Sequence, residues 1–124
     1  MMLHSLPFLF PRLFLGKEPP AITIADGWQR LVIDMCAAID VALPNGMVEG
    51  FYIDSIKEER ARLRVCYSGT YTPEVANIID AIEDRSATVC EDCGETGRQR
   101  IDGWMRCLCD FCEKERLIRL DRRA

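Results

Sequence analysis

CEDCGETGRQRIDGWMRCLCDFC, residues 90–112, holds five of the chain's seven cysteines. Cys90 and Cys93 form one C-x2-C pair, Cys109 and Cys112 form a second, and fifteen residues separate the pairs. Each short pair lets two thiolates reach one ion, and a middle segment of this length can fold back to bring the pairs together. The spacing is that of a structural zinc site with four thiolate ligands. Iron is the chemical rival for such a donor set. Cys107 is the spare sulfur. Exchanging it for Cys109 would give the less regular pairs C-x2-C and C-x4-C.

The middle of the stretch supplies its own turn signal. Asp102-Gly103 predicts a two-residue hairpin loop, with residues 98–101 pairing with 104–107. In that register Arg98 and Arg100 share a face with Met105 and Cys107, and Arg106 points with Trp104 to the other. Gly94 lets the chain turn beside the metal. The second cysteine pair is expected to open a last helix, Glu113 to Arg122, whose free N–H groups favour thiolates. Knuckle, hairpin and ligand-bearing helix make residues 89–124 a treble-clef or ribbon-like zinc motif.

Working outward, residues 21–88 read as a body of helix, β-hairpin and helix. Ala21 to Ile24 suits a short strand, and Asp26 a helix N-cap. Trp28, Leu31, Val32, Met35, Cys36, Ile39, Ala42 and Leu43 recur with helical period, and Pro44-Asn45-Gly46 stops the helix. Cys36 lies in that apolar stripe as a buried thiol. Residues 48–57 and 61–67 read as two strands joined through the polar run Lys57-Glu58-Glu59-Arg60, with Ala61, Leu63, Val65 and Tyr67 on one face. Thr72-Pro73 caps a second helix carrying Val75, Ile78, Ile79 and Ile82. Before the body, residues 1–20 read as an extended arm, broken by Pro7 and Pro11. It lays Phe8, Phe10, Leu13 and Phe14 on the core or offers them to a partner. The fold class expected is α+β.

The motif residues resemble those of a family of small, mostly uncharacterised bacterial and prophage-encoded proteins, over about residues 26 to 112. Three parts carry the likeness. The first is Asp26-Gly27-Trp28. The second is Ile56-Lys57-Glu58 followed by Leu63-Arg64-Val65-Cys66-Tyr67. The third is Cys90-Glu91-Asp92-Cys93-Gly94, then Gly97 with Arg100, Gly103-Trp104, and Leu108-Cys109-Asp110-Phe111-Cys112. Val89 stands where the family has Thr, and Cys112 where it has His. The exchange turns a site of three cysteines and a histidine into one of four cysteines, and it favours Cys109 over Cys107 as ligand. The resemblance implies a mobile-element setting and brings no established activity.

Charge and composition narrow the function classes. The formal net charge is −4 and hydrophobic residues make up 48% of the chain. That is an ordinary globular mixture, and its acidity argues against general adhesion to nucleic acid or to membranes. The apolar start is too short and interrupted to span a bilayer or to serve as a leader. Clustered cysteines then imply a reducing, cytoplasmic setting. Four thiolates leave a metal no open position for catalysis, and the single histidine, His4, sits far from the cluster in sequence. The expectation is a non-enzymatic zinc-stabilised interaction protein with a protein partner, for which Phe8, Phe10, Phe14, Arg62 and Arg64 are the candidate contacts. The resemblance suggests an inhibitor of a host complex, such as an anti-CRISPR or other anti-defence protein. A homodimer through the arm is a further expectation. The alternative is nucleic-acid binding. Segment 98–124 holds eight basic and five acidic residues, and Arg116, Arg119 and Arg123 fall on one helix face.

Overall fold

A computed structural model describes residues 5–16, 19–43, 50–101 and 103–123, the last without its side chain. His4, Lys17-Glu18, the Pro44-Asn45-Gly46 stop, Asp102 and the Arg123 side chain lie outside the described residues. The architecture is mixed α+β: helices on a three-stranded sheet, a second two-stranded sheet, and a four-cysteine cluster near the C terminus.

The body is organised by a hairpin of β2 (Phe51–Glu59) and β3 (Arg62–Gly69). Its connection is shorter than the polar run suggests, because the strands continue to Glu59 and Arg62. Arg60 and Ala61 form the turn, both left-handed at φ 53° and 65°. Such a turn matches the right-handed twist of the strands. Ala61 is buried, and its N–H donates to Glu58 Oε1 at 2.8 Å. A bulge between Ile53 and Ser55 shifts the register, so Phe51 and Ile53 face the core and Ile56 takes the next inward place. β1 (Ala21–Thr23) pairs parallel to β2, with Ile22 opposite Ile56, giving the order β1-β2-β3.

Helices α2 (Gln29–Ala42) and α3 (Pro73–Ser86) pack on each other, and α3 packs on β3. They bury Leu31, Val32, Met35, Cys36, Ile39, Val75 and Ile79 in one core with the strands. Burial, with Asp40 adding to it, pushes the Cys36 thiol up to about 12, so it stays protonated. Thr72 caps α3 by accepting from Val75 N at 3.3 Å. Asp26 does not cap α2. It opens a 3-10 turn, Asp26–Trp28, and its carboxylate takes the Gln29 side-chain amide instead. The outer edge of β3 is closed by α3, for Leu63 N donates to Ser86 Oγ and Val65 N to Glu83 Oε2.

The arm is helical rather than extended. α1 (Leu6–Leu9) and a 3-10 turn, Pro11–Leu13, each carry a proline in their first positions. There a proline's fixed φ suits a helix and its missing N–H costs nothing. Helical rotation sends Leu6 inward and Phe8 outward, at 88% exposure. Leu13 and Phe14 are buried and Phe10 packs partly on the core. Arg12 fastens the arm, donating to the carbonyls of Asp40 and Leu43 at the end of α2 and pairing with Asp40.

The C-terminal part comprises β4 (Arg98–Arg100), β5 (Arg106–Leu108) and α4 (Asp110–Arg123). Arg100 lies opposite Arg106 and Gln99 opposite Cys107, so residues 101–105 form the connection in place of a two-residue turn. This register differs by one residue from the expected pairing, and a one-residue difference reverses faces. Arg98, Arg100, Arg106 and Leu108 now share a face, and Gln99 and Cys107 the other. Among the described residues no helix is long and apolar enough to cross a membrane.

Candidate metal centre

Cys90, Cys93, Cys109 and Cys112 converge, with their sulfurs all within 4.8 Å of one another. The Cys93 and Cys109 sulfurs are 3.7 Å apart. A tetrahedral ion with metal–sulfur bonds of about 2.3 Å needs a sulfur–sulfur edge of about 3.8 Å. The donor set and its dimensions therefore fit one tetrahedral metal ion.

Local chemistry prepares the ligands. Gly94 turns the chain at φ +85° and donates its N–H to Cys90 O at 2.9 Å, closing the first knuckle. α4 begins directly after Cys109, three residues earlier than expected, and Cys112 sits in its first turn. Cys112 N donates to Cys109 Sγ at 3.3 Å. Burial raises the Cys90 thiol, but backbone N–H groups of Cys109, Cys93 and Asp92 outweigh it and bring the thiol to about 7. The Glu95 N–H draws Cys93 down, yet burial and the sulfurs of Cys90 and Cys109 leave it raised. Burial and the same crowding of sulfurs push Cys112 up strongly. A cation at the centre reverses this repulsion and makes all four thiolates stable.

Cys107 stands apart. It is buried, its Sγ donates to Ala87 O at 3.3 Å, and burial followed by the charges of Glu91 and Cys90 pushes it up to about 11. It packs in the core.

The cluster is joined to the body through the Asp26-Gly27-Trp28 turn. Gly27 N donates to Glu91 O at 2.7 Å, and Trp28 Nε1 donates to Val89 O at 2.9 Å. A methyl at Gly27 would meet the backbone of Cys90 and Glu91. Glu91 itself is buried. Its carboxylate accepts from Arg106 Nε at 2.9 Å and from Cys107 N at 3.1 Å. Asp92 takes the other end of the Arg106 guanidinium at 2.8 Å. Gly97 lies between the two cysteine pairs, where a Cβ would stand 3.0 Å from Cys90 N and 3.1 Å from Cys109 N. Arg100 donates to Leu108 O at 2.9 Å and pairs with Asp110 and Glu113, pinning α4 to the hairpin. These supporting residues were visible only as motif letters. Their partners lie in other elements, and nothing in the local pattern names them.

The candidate contact residues differ in exposure and pairing. Phe8 is exposed and Phe14 is core. Arg62 donates to Glu83 O and pairs with Asp84, while Arg64 is exposed and in no ion pair among the described residues. Arg116 is held by Glu113 at 2.6 Å, whereas Arg119 is exposed. The structure brings the four cysteines together; Arg62 and Arg64 line one cleft with Arg60 and Glu83, and Arg116 and Arg119 line another with Trp104 and Arg106. No family model, curated protein or solved structure matches the chain.

Proposed function

We propose that the protein is a non-enzymatic, zinc-stabilised interaction protein whose partner is another protein. The observation that carries this reading is the cluster itself: four thiolates supply a complete tetrahedral shell, with no position left for an activated water. The ion's role is then to hold shape. Zinc is preferred because two symmetric pairs flank a hairpin, and the order of knuckle, hairpin and ligand-bearing helix is that of a treble clef.

Exposed Phe8, Ile101, Trp104 and Phe111 support a protein partner, since apolar side chains of this size at the surface favour contact. The resemblance to prophage-encoded proteins adds a host defence complex as the target class. Nucleic-acid binding through Arg116, Arg119 and Arg123 has less support, because Arg116 is neutralised within its own helix.

Two measurements test the reading. Elemental analysis of purified protein is expected to give one zinc per chain, and a folded metal-free or iron-loaded protein refutes the zinc site. Affinity capture from a bacterial lysate is expected to recover a defined protein. Recovery of nucleic acid alone, with an affinity that falls steeply with salt, overturns the protein-partner reading.

A further inference from the structure

Helix α4 leaves the metal centre with one face uncovered. Its start is pinned by Arg100, but every described side chain from Leu117 to Arg122 is exposed. Lys114, Leu117, Ile118 and Asp121 follow the i, i+3, i+4, i+7 spacing of a single stripe, and Phe111 precedes them on the same side. All five are exposed, Phe111 at 71% and Leu117 at 53%. A helix of 14 residues is marginal by its own propensity and normally relies on burying its apolar face.

The charges on α4 say what covers that face. Asp110, Glu113 and Arg116 are already paired within the chain, but the stripe itself carries Lys114 at one end and Asp121 at the other, neither in an ion pair among the described residues. A parallel neighbour of the same kind would set like charge on like. An antiparallel one sets Lys114 of each helix on Asp121 of the other.

We propose that α4 pairs antiparallel with α4 of a second copy of this chain, about a two-fold axis between Leu117 and Ile118. In that register Leu117 meets Ile118 of the partner subunit, and Lys114 meets the partner subunit's Asp121. Both contacts occur twice by symmetry. The stripe thus encloses its apolar pair between two interchain ion pairs. The face of a single helix about 21 Å long is small for an interface, so the association is reversible and of roughly micromolar strength. It does not use the arm.

Sedimentation of the zinc-loaded full chain, from about 1 to 300 µM, tests this. The expected result is a reversible shift from 14.2 kDa to twice that mass. Leu117→Glu is expected to abolish the shift, with circular dichroism and zinc content unchanged. Lys114→Glu and Asp121→Lys are each expected to weaken the dimer at least tenfold, and the double variant to restore it within about threefold, because the swapped charges pair again. A wild-type chain that stays monomeric throughout overturns the proposal. So does a dimer indifferent to Leu117→Glu, or a double variant no tighter than the singles.

Discussion

Gly27→Ala is a sharp probe of how the metal centre is joined to the body. A methyl there would stand 2.5 Å from Glu91 C and 2.6 Å from Glu91 O, and closer still to Cys90 O. All three are backbone atoms of the first knuckle, so no side-chain rotation relieves the clash. The knuckle must move by about 1 Å to restore ordinary contact. That movement strains the Gly27 N–H bond to Glu91 O and the Trp28 indole bond to Val89 O. Overpacking of about 1–3 kcal/mol plus about 1 kcal/mol for a weakened hydrogen bond gives a loss of about 2–4 kcal/mol. At about 4 °C per kcal/mol, the melting temperature of the zinc-loaded protein should fall by about 8–16 °C. Gly103→Ala is the control. Its φ is +77° but nothing lies within 4 Å of the added methyl, so only the left-handed backbone penalty of about 1–2 kcal/mol applies. Scanning calorimetry of both variants decides. If Gly27→Ala melts within about 2 °C of the wild type, or above Gly103→Ala, the knuckle does not seat on the Asp26–Trp28 turn as described.

Four further outcomes are expected. Cys107→Ser should retain one bound metal, whereas Cys112→Ser should lose it or bind far more weakly; metal loss in Cys107→Ser would reassign the ligands. Because the Cys93 and Cys112 thiols are raised and Cys90 sits at about 7, metal binding must expel at least two protons. Apparent affinity should therefore fall at least about 100-fold per pH unit below pH 7, and competition titrations showing no pH dependence would refute this. Ser86→Ala removes the acceptor for Leu63 N at a buried sheet edge and should cost about 1–3 kcal/mol, read as a lower urea midpoint with unchanged slope. Chelation should expose the amides of β4, β5 and α4 to rapid hydrogen exchange while β2, β3 and α3 stay protected; uniform loss or uniform retention would refute separate stability of the two parts.

What could be read from the chain was what local spacing encodes. The two C-x2-C pairs, the apolar period from Trp28 to Leu43 and the Thr72-Pro73 start each declare themselves within a few residues, and the four cysteines and the two helices stand where those patterns put them. Features decided by distant partners were hidden. Gly27 looks like part of a helix start, yet its function is steric and its neighbours are Cys90 and Glu91. Pro7 and Pro11 look like helix breakers, but each begins a helical turn that Arg12 then ties to the end of α2. The Asp102-Gly103 pair suggested a tight hairpin loop, whereas pairing of Arg100 with Arg106 leaves five residues in the connection. That one-residue difference put Arg106 on the face of Arg100 and left Cys107 facing the core.

The distribution of burial shows what a metal at the four cysteines would add to the C-terminal part. Among the described residues between Val89 and Arg122, the fully buried hydrophobic side chains are Cys90, Cys107 and Leu108, and one of these belongs to the four-cysteine cluster. The body, by contrast, buries tryptophan, leucines and isoleucines around one core. A segment with so little apolar burial cannot offset the conformational entropy of ordering a hairpin and a helix. Four metal–thiolate bonds can, because they form only when the two knuckles meet. The polar links then have a defined task. Glu91 with Arg106 and Arg100 with Asp110 orient the hairpin and α4 around the ion, and the Gly27 contact transmits that orientation to the body. A metal at this centre would supply the stability that a core would otherwise provide, at the base of a helix, α4, whose apolar stripe is exposed.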